Sequence, residues 1–146
     1  MPQSLVKMLA HIVFSTKDRR LLIKPEIEPL LFGYISGILT NNKARLIIGG
    51  GTWDHIHLLV SIGRIDIGEL IGDIKRESSK WMKQHAPDFY WQKGYGAFSI
   101  GQSQVPAVSK YIRDQKTHHR DQTFQDEFRA LCRKYEVEID ERYCWD

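Results

Sequence analysis

Cysteine is nearly absent from this chain: only Cys132 and Cys144 occur in 146 residues, both near the C-terminal end and not in a zinc-ribbon spacing. So few thiols exclude a disulfide scaffold and fit a reducing compartment in which both stay free. No apolar run approaches the roughly 18 residues that a membrane span needs. The N-terminal stretch has no charged segment followed by an apolar core and a cleavage site, so the expectation is a protein that stays inside the cell. Internal repeats, low-complexity tracts and inter-domain linkers are also missing. What remains reads as one domain over residues 1–146, long enough to bury roughly 70% of its unfolded surface.

Charge is unevenly placed. The formal net charge is +3, but residues 1–120 hold 17 Lys/Arg against 10 Asp/Glu, a balance of +7, and residues 121–146 hold 4 against 8, a balance of −4. A basic body favours a polyanionic partner, and the acidic tail either lies against a basic surface or is solvated.

Apolar residues from Leu5 to Ser15 predict a buried strand, closed by the charged turn Lys17-Asp18-Arg19-Arg20. Pro25 suits the first turn of a helix reaching about Leu39, with Leu30, Leu31, Tyr34, Ile35 and Ile38 at helical spacing and Asn41-Asn42 at its end. Arg45–Gly49 and His55–Val60 are short apolar runs joined by a Gly-rich turn, the pattern of a β-hairpin. Residues 67–84 predict an amphipathic helix, stopped by Pro87, with Lys75, Arg76, Lys80 and Lys83 on its polar side. Ala97–Ile100 is a fourth strand, Val105-Pro106 opens a helix running to about His118, and a last helix covers Phe124–Lys134. The order β-α-β-β-α-β, followed by helices, predicts an α+β fold of the ferredoxin-like, RRM-like type. In it an antiparallel sheet carries two helices on one face and leaves the other open.

His55-Ile56-His57 sits in the third strand. Alternation turns Ile56, Leu58 and Val60 to one face and both imidazoles to the other, where two neutral rings on a rigid element can share one divalent cation. A third ligand must come from elsewhere. Tyr111 and Gln115 lie i, i+4 on the following helix, so an amide and a phenol share one helix face. Each feature alone is common, since a helical tyrosine is usually core and a glutamine one turn later is usually solvated. Asp54 reads as closing the turn before His55, with support of that histidine the alternative. His118 and His119 read as solvated helix-end residues, with metal or phosphate contact the alternative.

In order, spacing and setting these residues resemble the IS200/IS605-type transposases, the single-tyrosine members of the HUH endonuclease superfamily. His55-Ile56-His57 matches their His-hydrophobic-His motif, Tyr111 their nucleophile and Gln115 their third metal ligand. The likeness extends over nearly the whole chain, including Ala10–Lys17 and Trp91–Ser99. It implies a DNA transposase that cleaves and rejoins single-stranded DNA beside a hairpin at element ends. The implied intermediate is a 5′-phosphotyrosine, formed with Mg²⁺ or Mn²⁺ at His55, His57 and Gln115. Imidazoles suit Mn²⁺ or Zn²⁺ better than Mg²⁺, and the amide and phosphate oxygens restore a harder set. The resemblance also implies a homodimer, with the Tyr111 helix docked in cis or in trans after the polar stretch Gly101–Gln104.

For the DNA surface the sequence nominates Arg19, Arg20, Lys75, Arg76, Lys80, Lys83, Lys110, Arg113 and Lys116 as phosphate contacts, with Trp91 or Tyr95 stacking on unpaired bases. Two other readings compete. A two-histidine phosphoesterase wants separated His-x-Thr/Ser motifs, and here Leu58-Leu59 follows His57. A catalytically silent or domesticated hairpin-binding protein of the same fold needs none of His55, His57, Tyr111 and Gln115.

Overall fold

The structure, a computed structural model, describes residues 3–146. Its strands are β1 (Met8–Ser15), β2 (Arg45–Gly51), β3 (His55–Ile62) and β4 (Gly96–Ile100), joined by helices α1 (Glu28–Asn41) and α2 (Ile67–Met82). Three helices follow: α3 (Val105–Arg113), α4 (Gln115–His118) and α5 (Phe124–Lys134). All neighbouring strands run antiparallel in the order β2-β3-β1-β4, the topology expected of the ferredoxin-like split βαβ unit. None of the described helices is long and apolar enough to cross a membrane.

Helix boundaries follow local chemistry. Asp66 caps α2 by accepting the backbone N–H of Glu69 at 3.3 Å, Thr123 caps α5 through the N–H of Asp126 at 3.1 Å, and proline stands in the first turn of α1 and α3. The first helix starts at Glu28, later than Pro25 suggests, because Pro25–Ile27 form a turn ahead of it. The helix expected as one piece from Val105 to His118 is interrupted at Asp114, whose φ/ψ of −92°/17° separates α3 from α4.

Strand alternation builds two cores. Ala10, Ile12 and Phe14 of β1 and Ile56, Leu58 and Val60 of β3 pack under Leu31, Ile35 and Leu39 of α1 and Leu70, Ile71 and Ile74 of α2. The expectation of an open second face is overturned. Leu9, Val13, Leu59, Phe98 and Ile100 there are covered by Val108 and Ile112 of α3 and by Phe124, Phe128, Leu131 and Cys132 of α5. Each of those large side chains contributes roughly 1.5–3 kcal/mol when fully buried, enough in sum to fix the C-terminal helices on the sheet. His55 and His57 are therefore fully buried between sheet and helices.

Close approach of α3 to the sheet depends on a residue without a side chain. A Cβ at Gly50 of β2 would run into the carbonyl oxygen of Ile112, one residue from Tyr111. Gly50→Ala should therefore push α3 outward, lowering stability by about 1–3 kcal/mol, which thermal denaturation would register as a reduced Tm.

Candidate metal and tyrosine centre

Register brings the polar groups together. On the second sheet face His55 stands opposite Ser15, His57 opposite Val13, and His11 opposite Leu59. His11 and His57 are thus diagonal neighbours across the β1–β3 ladder, which long side chains can bridge. His11 Nε2 lies 2.7 Å from His57 Nδ1, so one proton is shared between the two rings.

His55 Nδ1 donates to Asp54 Oδ1 at 2.7 Å, and Thr52 Oγ1 donates to the same carboxylate oxygen at 3.0 Å. Asp54 thus orients the histidine through its side chain, correcting the reading in which it merely closes the turn. Gln115, buried at the start of α4, places Oε1 3.0 Å from His55 Nε2. The sequence-nominated ligands His55, His57 and Gln115 therefore converge.

Two further residues enter this centre. Glu127 of α5, 1% exposed, sets Oε1 at 2.8 Å from His57 Nε2, 3.5 Å from His55 Nε2 and 3.0 Å from His119 Nε2. Its Oε2 accepts from Gln115 Nε2 at 3.1 Å and from the Tyr111 hydroxyl. His119 is turned inward, where a solvated residue was expected, because its Nδ1 donates to the carbonyl of Gln122 at 2.6 Å. Tyr111 lies against the histidines of its own chain, its ring centroid 5.8 Å from that of His57.

Burial and neighbouring charges set the protonation of the centre. Burial opposes charge on His55, but Asp54 and Glu127 outweigh it and push its pKa up to about 9. Burial holds His57 down to about 4 despite Glu127, and it holds His11, beside His57, down to about 3. Burial also opposes the charge of Glu127, but hydrogen bonding from His119, His55 and His57 keeps it far below the usual carboxylate range. Tyr111 is held well above an ordinary phenol by burial and the negative Glu127.

A cation fits these donors. Without a cation His55 is protonated and its Nε2 faces Gln115 Oε1 and Glu127 Oε1; once that proton is displaced, with Nδ1 committed to Asp54, a bare Nε2 is left toward the same two oxygens. His119, whose Nδ1 donates to Gln122 O, sets Nε2 3.0 Å from Glu127 Oε1. Lone pairs facing lone pairs repel, and either a proton or a metal ion between them removes that cost, so the same atoms can exchange one for the other. One ligand atom from each of His55, His57, His119 and Glu127 lies within 4.8 Å of the others. Three imidazoles and a carboxylate suit Mn²⁺ or Zn²⁺ over Mg²⁺.

The nominated DNA-contacting residues are dispersed. Lys75, Arg76 and Lys80 belong to α2, and Lys83 directly follows its last residue, across the sheet from the histidines. Lys75 Nζ donates to the carbonyls of Gln92, Lys93 and Gly94 at 2.9, 3.0 and 2.6 Å, which fixes the approach to β4. Lys83 donates to Phe89 O at 2.8 Å, Arg76 pairs with Asp73 and Glu77, and Lys80 stands 3.9 Å from Glu77. Arg19 donates to Trp145 O, and Arg20 pairs with Asp88. Lys110 pairs with Asp114 and Lys116 with Glu28, while Arg113 is exposed; these three flank the tyrosine centre. Trp91 is buried edge-on against Phe14 and Phe89, with Nε1 donating to Ser78 Oγ, so it offers no face to a base. Tyr95 is 40% exposed.

Comparison with known proteins bears on the fold and the family. Residues 4–115 match the family described as "Transposase IS200 like". The chain belongs to this family. Among solved structures, the IS200-like fold is shared with a candidate transposase from Deinococcus radiodurans, 20% identical with a TM-score of 0.63 over 79% of this chain and 95% of that one. It is also shared with a REP-associated tyrosine transposase bound to a REP hairpin, 14% identical with a TM-score of 0.58 over 77% of this chain and 68% of that one. No curated protein matches. The IS200-like match ends at Gln115 and so takes in His55, His57, Tyr111 and Gln115, whereas His119 and Glu127 lie beyond it.

Glu127 does leave a trace in the sequence. It occupies the i+3 position of the buried stripe Phe124, Phe128, Leu131, a carboxylate where an apolar residue belongs. His11 likewise interrupts the buried face Leu9, Val13. Replacing His11 with Phe, which keeps the ring and removes both nitrogens, should weaken Mn²⁺ binding by about 10–100-fold, measured by calorimetry. Lys75→Met should instead leave Mn²⁺ affinity intact and cost about 1–3 kcal/mol of stability, read from denaturant unfolding.

Proposed function

We propose that this IS200-like transposase cleaves and rejoins single-stranded DNA through Tyr111, with a divalent cation held by His55, His57 and Gln115 and supplemented by His119 and Glu127. The observation that carries this reading is the convergence, in one chain, of a phenol and a set of nitrogen and oxygen donors that a divalent cation can share. Bound there, the cation would make a scissile phosphate more electrophilic.

The remaining steps belong to the protein. Tyr111 Oη attacks phosphorus, the bond to the 3′-oxygen breaks, and the 5′ side is retained as a phosphotyrosine. The ester conserves the energy of the broken bond, so a different 3′-hydroxyl can reverse the step and join new ends without ATP. Asp54 and His11 hold the two motif histidines in register while this occurs. The tyrosine is supplied in cis, so a single chain carries every proposed catalytic group, and a homodimer would not need to exchange its tyrosine helices.

Single-stranded DNA carrying a hairpin is the proposed substrate, in keeping with the REP hairpin bound by one structural neighbour. A groove of about 690 Å³ adjoins the centre, lined among others by Trp53, Asp54, Lys116, His119 and Arg120. Trp53 is 44% exposed there and can stack on an unpaired base, and Lys116 and Arg120 can neutralise phosphates. The competing role, hairpin binding without chemistry, leaves the buried donor set unexplained.

Incubation with labelled single-stranded DNA from the cognate element end and Mn²⁺ should yield an adduct that survives denaturation. It should disappear with EDTA and in Tyr111→Phe, while hairpin binding by the variant remains within about twofold of wild type. Adduct formation by Tyr111→Phe would refute the assignment.

A further inference from the structure

Glu127 faces two ways. Oε1 is directed at the three histidine Nε2 atoms and Oε2 at the hydroxyl of Tyr111, so one carboxylate joins the donor cluster to the nucleophile. The phenol has no other hydrogen-bond acceptor among the described contacts, and its proton already points along the line of transfer. We propose that Glu127 is a catalytic residue, the proton acceptor for Tyr111; this rests on the reading of Tyr111 as a nucleophile.

The transfer is uphill at the outset, more so than between an ordinary phenol and an ordinary carboxylic acid, because the site holds Tyr111 above and Glu127 below their usual ranges. It becomes favourable as the new bond forms, because a phenolic oxygen bonded to phosphorus is strongly acidic. A base already in hydrogen-bond contact captures the proton at that point without diffusional delay. The balance closes with one proton from solvent. The Oη–P bond forms, the P–O3′ bond breaks, the phenolic proton passes to Glu127 Oε2, and the departing 3′-oxygen takes a proton from water to leave as a hydroxyl. In rejoining the same carboxyl returns the proton to the tyrosine.

Placement supports a chemical role over a purely structural one. Glu127 interrupts the apolar stripe of α5, and the aromatic neighbours Phe124 and Phe128 would accept a leucine there at lower desolvation cost. Gln115 Nε2 donates to the same Oε2 and fixes the carboxylate plane, so the acceptor oxygen is oriented before substrate arrives.

Glu127→Gln is nearly isosteric, keeps an oxygen for the cluster and removes the acceptor for the proton. At saturating Mn²⁺, single-turnover formation of the tyrosine–DNA adduct should fall by about 10²–10⁴-fold, with DNA affinity unchanged. Metal-free protein supplies an independent readout. A far-downfield proton resonance from the Tyr111 hydroxyl should be present in wild type and absent from both Tyr111→Phe and Glu127→Gln. An adduct rate that saturating Mn²⁺ restores to the wild-type level would make Glu127 a ligand alone and overturn the proposal. Should Glu127→Gln not fold, Glu127→Asp takes its place. It keeps the charge but withdraws the acceptor by one methylene, and a loss of about 10²-fold at saturating metal is expected; a wild-type rate would likewise overturn the proposal. If wild type itself forms no Tyr111-dependent adduct on its cognate end, the nucleophile reading falls and the proposal with it. A normal wild-type adduct with an unimpaired Glu127→Gln removes the proposal alone.

Discussion

A buried carboxylate among three imidazoles, an amide and a phenol is the interaction around which the second half of this molecule is arranged. An ionised Glu127 without partners would cost several kcal/mol of desolvation, so α5 can carry it into the interior only if the sheet presents histidines in register to meet it. The sheet in turn can bury a charged His55 only where carboxylates arrive opposite it. Neither side is stable in that position alone. Their mutual need couples β3, near the middle of the chain, to a helix some 70 residues later.

That coupling is set within the ordinary packing of the fold. The α1–α2 side of the sheet is a conventional apolar core and asks nothing of the site beyond a flat, twisted support. On the other side apolar contacts form two clusters, one under α3 and one under α5, and the polar centre lies between them. A site fixed from both flanks by large side chains has little freedom to drift, as transfer of a proton or a phosphoryl group requires.

The fold and half of the centre are legible in the sequence. Alternation in Ile56, Leu58 and Val60 located a strand and its core face, and the i, i+4 pair of Tyr111 and Gln115 survived even though the helix breaks between them. Less legible was what covers the histidines, because covering depends on tertiary docking of α3 and α5, which periodicity in one element cannot report. Glu127 is not legible in the sequence, since an acidic residue near a helix start is usually solvated, and its place on the Phe124–Phe128 stripe acquires meaning only because α5 docks on the sheet and buries that stripe. Lys75 differs in the opposite direction: its sequence position reads as a free surface cation, and its ammonium is spent on three backbone carbonyls.

With both faces of the sheet roofed over, the four strands cannot act as a platform on which bases lie flat, the use to which open sheets of this topology are put. Tyr111 lines an opening between α3 and α5, together with His11, Val108, Leu131 and Lys134, and a second groove beside His119 opens near the β2–β3 turn. Whatever reaches the centre therefore does so between helices and along the edge of the sheet, never across its flat face.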